Sequence, residues 1–297
     1  MPPDFLFSRP LDVLYGLTTL ASFLVGFPGN CFALRHFLLK KKDPATSIYL
    51  AIALNDAVIC CLALPISISY FSWRTPGVLE SEGACYTWGI LCFLAMRLSV
   101  VLTMLLSVVR TTSLVFPFTR TPVRAPVVAI CCFIVFMAAQ MLFVVLVGFR
   151  ISFSKFVVGC MWSAGPELGL RTTSTFEVLM ILTYVVPVIL VVFGCVASSV
   201  VLLSSRSLGQ LGNNTVRQQK RRATVTIIIF TVVYLACNIP QAVSVVLQTI
   251  GVHSNWEVDL LKFDYSHPPY LFYFKNFITF ISSSLNSMIN PVIYAFR

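Results

Sequence analysis

The sequence predicts an all-α membrane protein, a seven-transmembrane helix bundle with its N-terminus outside and its C-terminus inside. Three observations predict it. The 297 residues are 58% hydrophobic and only 11% charged, with a mean hydropathy of +0.88. A soluble domain carries about 25% charged residues, so these charges are too few to cover a water-facing surface. The apolar residues also gather into seven stretches long enough to cross a bilayer, and Lys and Arg favour one set of the intervening loops.

Crossing the hydrocarbon core takes about 20 apolar residues in helical form. Seven candidates meet that length: Leu11–Leu39, Ser47–Phe71, Cys85–Val115, Ala125–Phe149, Thr175–Leu203, Ala223–Ile250 and Tyr270–Ala295. A membrane barrel would instead show alternating segments of roughly ten residues. No Gly- or Ser-rich linker and no short-period repeat divides the chain, so residues 1–297 are read as one domain. Met1 to Pro10 lacks a basic region followed by a short apolar core and a cleavage site. The first span is therefore expected to act as an uncleaved insertion signal.

Orientation follows from the loop charges. Lys40, Lys41, Lys42, Arg120, Arg124, Arg206, Arg217, Lys220, Arg221 and Arg222 follow spans one, three and five. Most acids lie on the alternate side: Glu80, Glu82, Glu167, Glu177, Glu257, Asp259 and Asp264. The positive-inside rule places the basic set in the cytoplasm. The net charge of +10 thus encodes topology and attraction to anionic lipid, and no nucleic-acid partner is expected. Asn213-Asn214-Thr215 matches a glycosylation sequon, but on the cytoplasmic side.

Eight of the ten cysteines fall inside apolar spans, where Cys behaves as a small hydrophobe. Only Cys85 and Cys160 fall at the outer face. That face is oxidising, so a disulfide between them is expected, against the alternative of two free thiols.

A second set of residues resembles the rhodopsin-like (class A) G-protein-coupled receptor family. Gly29-Asn30 lies in span one, Asn55-Asp56 and Pro65 in span two, and Cys85 stands 25 residues before Arg110 in span three. Pro187 is in span five, Cys237-Asn238-Ile239-Pro240 in span six, and Asn286-Ser287 precedes Asn290-Pro291-Val292-Ile293-Tyr294 in span seven. The resemblance implies a plasma-membrane receptor that answers an extracellular ligand and activates a heterotrimeric G protein. Independently of it, proline in a helix frees a carbonyl and kinks the axis. Pro65, Pro187, Pro240 and Pro291 are accordingly read as hinge points, although a static bundle also tolerates such prolines.

An ionisable residue at mid-membrane is a functional candidate by default. Asp56 lies about 14 Å along the helix from Ser47, and Ser99 about 21 Å from Cys85, at similar depth. Asn286, Ser287 and Asn290 face that level from span seven. One anion among neutral oxygens suits a small hard cation. The resemblance implies a sodium ion at Asp56, and a protonated Asp56 bonded to amides is the alternative. Arg97, about 18 Å below Cys85, is a second buried charge. It either joins a structural network with Gln140, Thr183 or water, or grips a ligand carboxylate bidentately.

The expected ligand pocket comprises Trp88, Cys92, Phe93, Met96, Arg97, Thr183, Asn238, Gln241, Phe280 and Ser284. By the family spacing, Cys92 stands where amine receptors carry an aspartate and Ser284 where opsins carry the retinal lysine, so neither ligand class is expected. Phe153–Trp162 alternates weakly and reads as a possible hairpin of the kind that peptide receptors carry. A peptide ligand is expected first, a small acid next. Arg110, Pro187, Pro240, Pro291 and Tyr294 are expected to carry activation and the G-protein side.

The sequence also departs from the family pattern. Val109 replaces the acid before Arg110, Thr111 the tyrosine after it, Asn238 the span-six tryptophan and Cys195 the span-five tyrosine. Lys220 stands near the start of span six, where some relatives have an acid. An Arg110 without those anions predicts raised ligand-independent signalling. The chain stops three residues after Tyr294, which reads as a trimmed end. No HExxH, GxSxG or phosphate-binding glycine loop is present, so an enzyme is not expected. A seven-helix transporter or channel, or a receptor-like protein that does not couple, are the remaining alternatives.

Overall fold

The computed structural model describes residues 8–40, 43–71, 81–115, 124–146, 149–154, 159–164, 181–204, 229–240, 242–243, 246 and 270–295. Span one is helical over Ser8–Ala21 and Phe27–Leu38, with a π-helical turn at Ser22–Gly26 between them. Span two is Pro44–Phe71, span three Glu82–Val115 and span four Arg124–Leu146. Span five opens on a π-turn, Ile181–Val185, and continues as Val186–Ser204. Residues Ile229–Pro240 form the described helix of span six, and span seven is Tyr270–Ala295.

Polar residues set the helix starts. Asp43 accepts the Thr46 backbone N–H and Pro44 opens the first turn, which caps span two. The Ser81 hydroxyl accepts the Ala84 N–H at 3.1 Å at the head of span three.

Span four is shorter than expected. Its helix ends at Leu146, and Phe149 begins β1 (Phe149–Ser154), which pairs antiparallel with β2 (Gly159–Ala164). Phe149, Ile151 and Phe153 alternate with Arg150, Ser152 and Ser154, a period of two that suits a strand and not a helix. The hairpin is therefore longer than Phe153–Trp162, and both of its strands lie against span three.

The two π-turns share a cause. Proline lacks an N–H, and its ring crowds the carbonyl four residues earlier. For Pro28 that carbonyl belongs to Leu24 and for Pro187 to Thr183, and each falls within a π-turn. The Phe27 N–H reaches back to the Ser22 carbonyl, one residue farther than in an α-helix. The widened turn accommodates the ring. Pro28 was not among the hinge prolines expected from the sequence.

Four described helical stretches are long and apolar enough to cross a membrane: Val13–Leu38, Pro44–Ile68, Gly83–Ser113 and Leu182–Val200. Their outward faces carry large exposed apolar side chains, such as Phe32 at 73% and Phe193 at 68%. In a water-soluble protein that surface would be a liability; against lipid tails it is the solvent-matched surface. Span three is central, packing on spans two and five, while span seven packs on one and two.

Three buried clusters fill the bundle. The first lies towards the Arg110 end and includes Phe37, Tyr49, Leu102, Leu106, Val109 and Phe230. The second, towards Cys85, joins Tyr15, Ala63, Ile66, Cys92 and Phe280. The third links spans three, five and six through Val100, Tyr184, Val188, Val191 and Tyr234.

Candidate functional site

The polar centre forms where spans one, two, three and seven meet. Asp56 is fully buried. The Ser287 hydroxyl donates to its Oδ1 at 2.9 Å and the Asn290 amide to its Oδ2 at 2.7 Å. Both donors sit on span seven, three residues apart and so on one helix face. Asn30 ties span one to the same place by donating to the Ser287 carbonyl at 2.8 Å and the Gly26 carbonyl at 2.9 Å. Asn55 donates across to the Ala95 carbonyl of span three at 2.9 Å.

Two expected members fit less directly. Ser99 is buried, but among the described residues it makes no bond to Asp56; its carbonyl accepts from the Thr103 hydroxyl at 2.9 Å. Asn286 is buried with its Oδ1 unpartnered among the described residues. Asp56 and Ser287 bring carboxylate and hydroxyl oxygens together, and Asn286, the residue before Ser287, adds a buried amide oxygen on span seven. Those are the atoms a small hard cation takes. The described residues contain no group of three His, Cys, Asp or Glu that would hold a metal ion. A single carboxylate suits a monovalent ion.

The expected ligand-pocket residues divide into two groups. Trp88, Cys92, Met96 and Phe280 pack with Tyr15 and Ile66 against spans one and two. The Trp88 indole donates to the Leu62 carbonyl at 2.9 Å, and its ring stacks with Phe280 at 6.1 Å. Ser284 is buried beneath this group with its hydroxyl unpartnered among the described residues.

The second group lies towards spans five and six. The Arg97 guanidinium is buried 5.1 Å from the Phe93 ring centroid and 4.8 Å from that of Tyr184. The Tyr184 hydroxyl donates to Asn238 Oδ1 at 2.9 Å, and the Asn238 amide to the Tyr234 carbonyl at 2.8 Å. Thr183 is buried beside Tyr184. Gln241 and the side chain of Gln140 lie outside the described residues, as does Glu177. Tyr184 was not expected from the sequence. Its signal was position, three residues before Pro187 and near the depth of Arg97.

At the other end of span three, Arg110 donates to the Tyr49 hydroxyl, and its guanidinium lies 5.2 Å from the centre of that ring. Tyr49 stacks on Phe37 at 5.4 Å and meets Tyr294 edge-on at 5.6 Å. Arg110 therefore has a neutral aromatic partner from span two. Val109 is buried in the apolar cluster instead. Thr111 Oγ1 bridges to the Gly194 carbonyl at 3.1 Å and the Ser198 hydroxyl at 3.0 Å, tying spans three and five. A small cavity beside Arg110 is lined by Tyr49, Thr103, Ser107, Gly194, Cys195 and Phe230.

Pro65 and Pro291 lie inside continuous helices, Pro187 follows its π-turn, and Pro240 ends the described run of span six. Gly29 packs against Pro291, whose ring atoms leave 3.1 Å to a would-be Cβ. Cys85 is buried and disulfide-bonded. Cys160 stands opposite Phe153 in β2, and its side chain lies outside the described residues. The other eight cysteines are free.

These features define a helical membrane bundle with a buried polar centre and an arginine at one end of its central helix. The profile of the family described as 7 transmembrane receptor (rhodopsin family) matches residues 29–294. The chain belongs to that family, and it is a multi-pass membrane protein of receptor type. No match was found among curated proteins.

Proposed function

We propose that this chain is a G-protein-coupled receptor of the plasma membrane, with Cys85 at the outer face and Arg110 at the cytoplasmic face, whose ligand carries an acidic group. The observation that carries the ligand class is Arg97. Holding a guanidinium at mid-bundle is expensive, and its planar fork matches a carboxylate bidentately. A peptide with a free C-terminal acid and a small carboxylate share that chemistry. The test is G-protein activation across subtypes, driven by peptides paired as C-terminal acid and amide and by a panel of small carboxylates. Arg97→Gln is expected to lower the potency of an acidic agonist about tenfold or more, the scale of a charge-assisted bond. Unchanged potency, or equal potency of the acid and amide forms, removes the acidic-ligand reading. The absence of any G-protein response would favour the non-coupling alternative.

Asp56 with Ser287, Asn290 and Asn286 would hold the sodium ion that the family implies, and a bound ion would neutralise the carboxylate in the closed bundle. Cys85 and Cys160 are proposed as the bridge that anchors the hairpin to span three.

On the output side, Tyr49 is proposed as the restraint on Arg110. The raised basal activity expected of an unrestrained arginine then belongs to variants that lack it. Tyr49→Phe keeps the ring and removes the acceptor. A hydrogen bond to a charged group contributes about 1.5–3 kcal/mol, so basal G-protein activation should rise several-fold at matched surface expression. Tyr49→Ala, which also removes the ring, should rise further. Basal output of Tyr49→Phe at the wild-type level would exclude the restraint.

A further inference from the structure

Spans three, five and six meet at two buried tyrosines whose hydroxyls are treated in opposite ways. The Tyr184 ring lies under the Arg97 guanidinium, and its hydroxyl donates to Asn238 Oδ1 at 2.9 Å. One ring thereby touches groups from two other helices. Tyr184 also sits within the π-turn Ile181–Val185, where the backbone is already widened ahead of Pro187. Asn238 lies two residues before Pro240, and its amide is spent on the Tyr234 carbonyl. Tyr234 is one turn along span six, 1% exposed, in the same packed cluster as Tyr184. Its hydroxyl is buried with no hydrogen-bond partner among the described residues.

A buried polar group that finds no partner costs its full desolvation, whereas a paired one is close to neutral. In this packing, the Tyr184 hydroxyl keeps its bond to Asn238 while span six stays against span five. The Tyr234 hydroxyl gains from any packing that lets it pair. Interfaces in packed cores switch between discrete arrangements instead of deforming smoothly. Two opposed hydroxyls on either side of such an interface bias which arrangement is populated.

We propose that Tyr184 and Tyr234 form an opposed pair that sets the resting balance of span six. Tyr184 holds span six in the arrangement described, through Asn238, and Tyr234 favours its displacement. Arg97 is the input. An anion that draws the guanidinium off the Tyr184 ring loosens the holding side, and this last step rests on the acidic-ligand reading above. The opposed pair itself needs no ligand. It occupies the place where the expected span-six tryptophan is replaced by Asn238.

The test uses the full chain in lipid nanodiscs without ligand. A pair of probes is introduced as non-natural amino acids at the cytoplasmic ends of spans three and six, so that the eight free cysteines are undisturbed. Their distance distribution is measured by pulsed electron resonance. Tyr184→Phe should enlarge the long-distance population several-fold, and Tyr234→Phe should reduce it. Asn238→Ala should behave like Tyr184→Phe. In thermal unfolding, Tyr234→Phe should raise the apparent Tm, because it removes the orphaned hydroxyl. Each tyrosine variant loses a single oxygen, so misfolding is not a confounding outcome. Shifts of the same sign from both tyrosines, or superimposable distributions, would overturn the inference. So would a Tm lowered by Tyr234→Phe, because that hydroxyl would then be satisfied. Should Arg97→Gln abolish the carboxylate response while Tyr184→Phe leaves the distances unchanged, only the opposed pair fails. The converse result removes only the acidic-ligand reading.

Discussion

Asp56→Ala is expected to lower the stability of the receptor by about 2–3 kcal/mol, the cost of leaving two buried donors without an acceptor. Ser287 Oγ and Asn290 Nδ2 donate to separate oxygens of the same carboxylate, and alanine offers neither a replacement. Span seven would lose its Ser287 and Asn290 ties to span two. Part of the loss is returned, because the buried carboxylate no longer has to be held out of water, so the estimate stays below the sum of two orphaned donors. Asp56→Asn separates the ion from the network. Its amide keeps one acceptor oxygen but sets an NH2 group against a second donor. Sodium should raise the apparent Tm of the wild type over choline at equal ionic strength, in proportion to RT ln(1 + [Na⁺]/Kd). The same comparison should show no sodium effect in Asp56→Asn. Equal Tm values for the wild type in the two salts would exclude the ion. A wild-type Tm in Asp56→Ala would exclude the network itself.

The parts of this architecture that a linear reading reaches are those governed by depth. Apolar length predicts the helices of the spans, and helical rise puts Asp56 level with Ser99, with Asn286, Ser287 and Asn290 facing that level from span seven. Rotation about the helix axis is another matter. Ser99 is at the right depth and makes no bond to Asp56 among the described residues, because depth does not specify which way a side chain points. Arg110 shows the same limit from the other side. The family positions that would carry its anionic partners hold Val109 and Lys220, whereas the structure supplies Tyr49. That tyrosine is seven residues, about two turns, before Asp56, so it shares the inward face of span two at the level of Arg110. The pairing was accessible from periodicity, but one tyrosine among 10, in a chain with 25 phenylalanines, carries little signal by itself. The π-turns were less accessible. Pro28 sits near Gly29-Asn30 and reads as part of that motif, yet it widens the helix as Pro187 does in span five. Whether a freed carbonyl yields a kink or a π-turn depends on what packs beside it, and the sequence does not order those neighbours.

Gly194→Leu should have a larger effect than any substitution above, because it pushes span five away from span three beside Arg110. A Cβ on Gly194 would collide with Ser107 Oγ and lie 3.3 Å from both Ser107 Cβ and Thr111 Oγ1. Membrane helices associate through such small-residue seams, where backbones approach closely enough for side chains to bond across. Here Gly194 and Ser198 of span five face Ser107 and Thr111 of span three, each pair four residues apart and therefore on one helix face. The Thr111 hydroxyl closes the seam by meeting both the Gly194 carbonyl and Ser198. This also gives a physical account of one departure from the family pattern, since a tyrosine at 111 would not fit against a glycine packed this closely. Overpacking a close-fitted site costs about 1–3 kcal/mol and sometimes more, and a leucine adds three further carbons beyond the Cβ. The expected result is a large fall in surface expression and in apparent Tm. Gly194→Ala should be milder, because the atom it meets first is the end of a serine side chain that can rotate away. Combining it with Ser107→Gly should restore most of the loss, as coupled neighbours do in a double-mutant cycle. If Gly194→Leu folds and melts like the wild type, spans three and five do not approach as described, and the cavity beside Arg110 loses the wall that Gly194 and Cys195 provide.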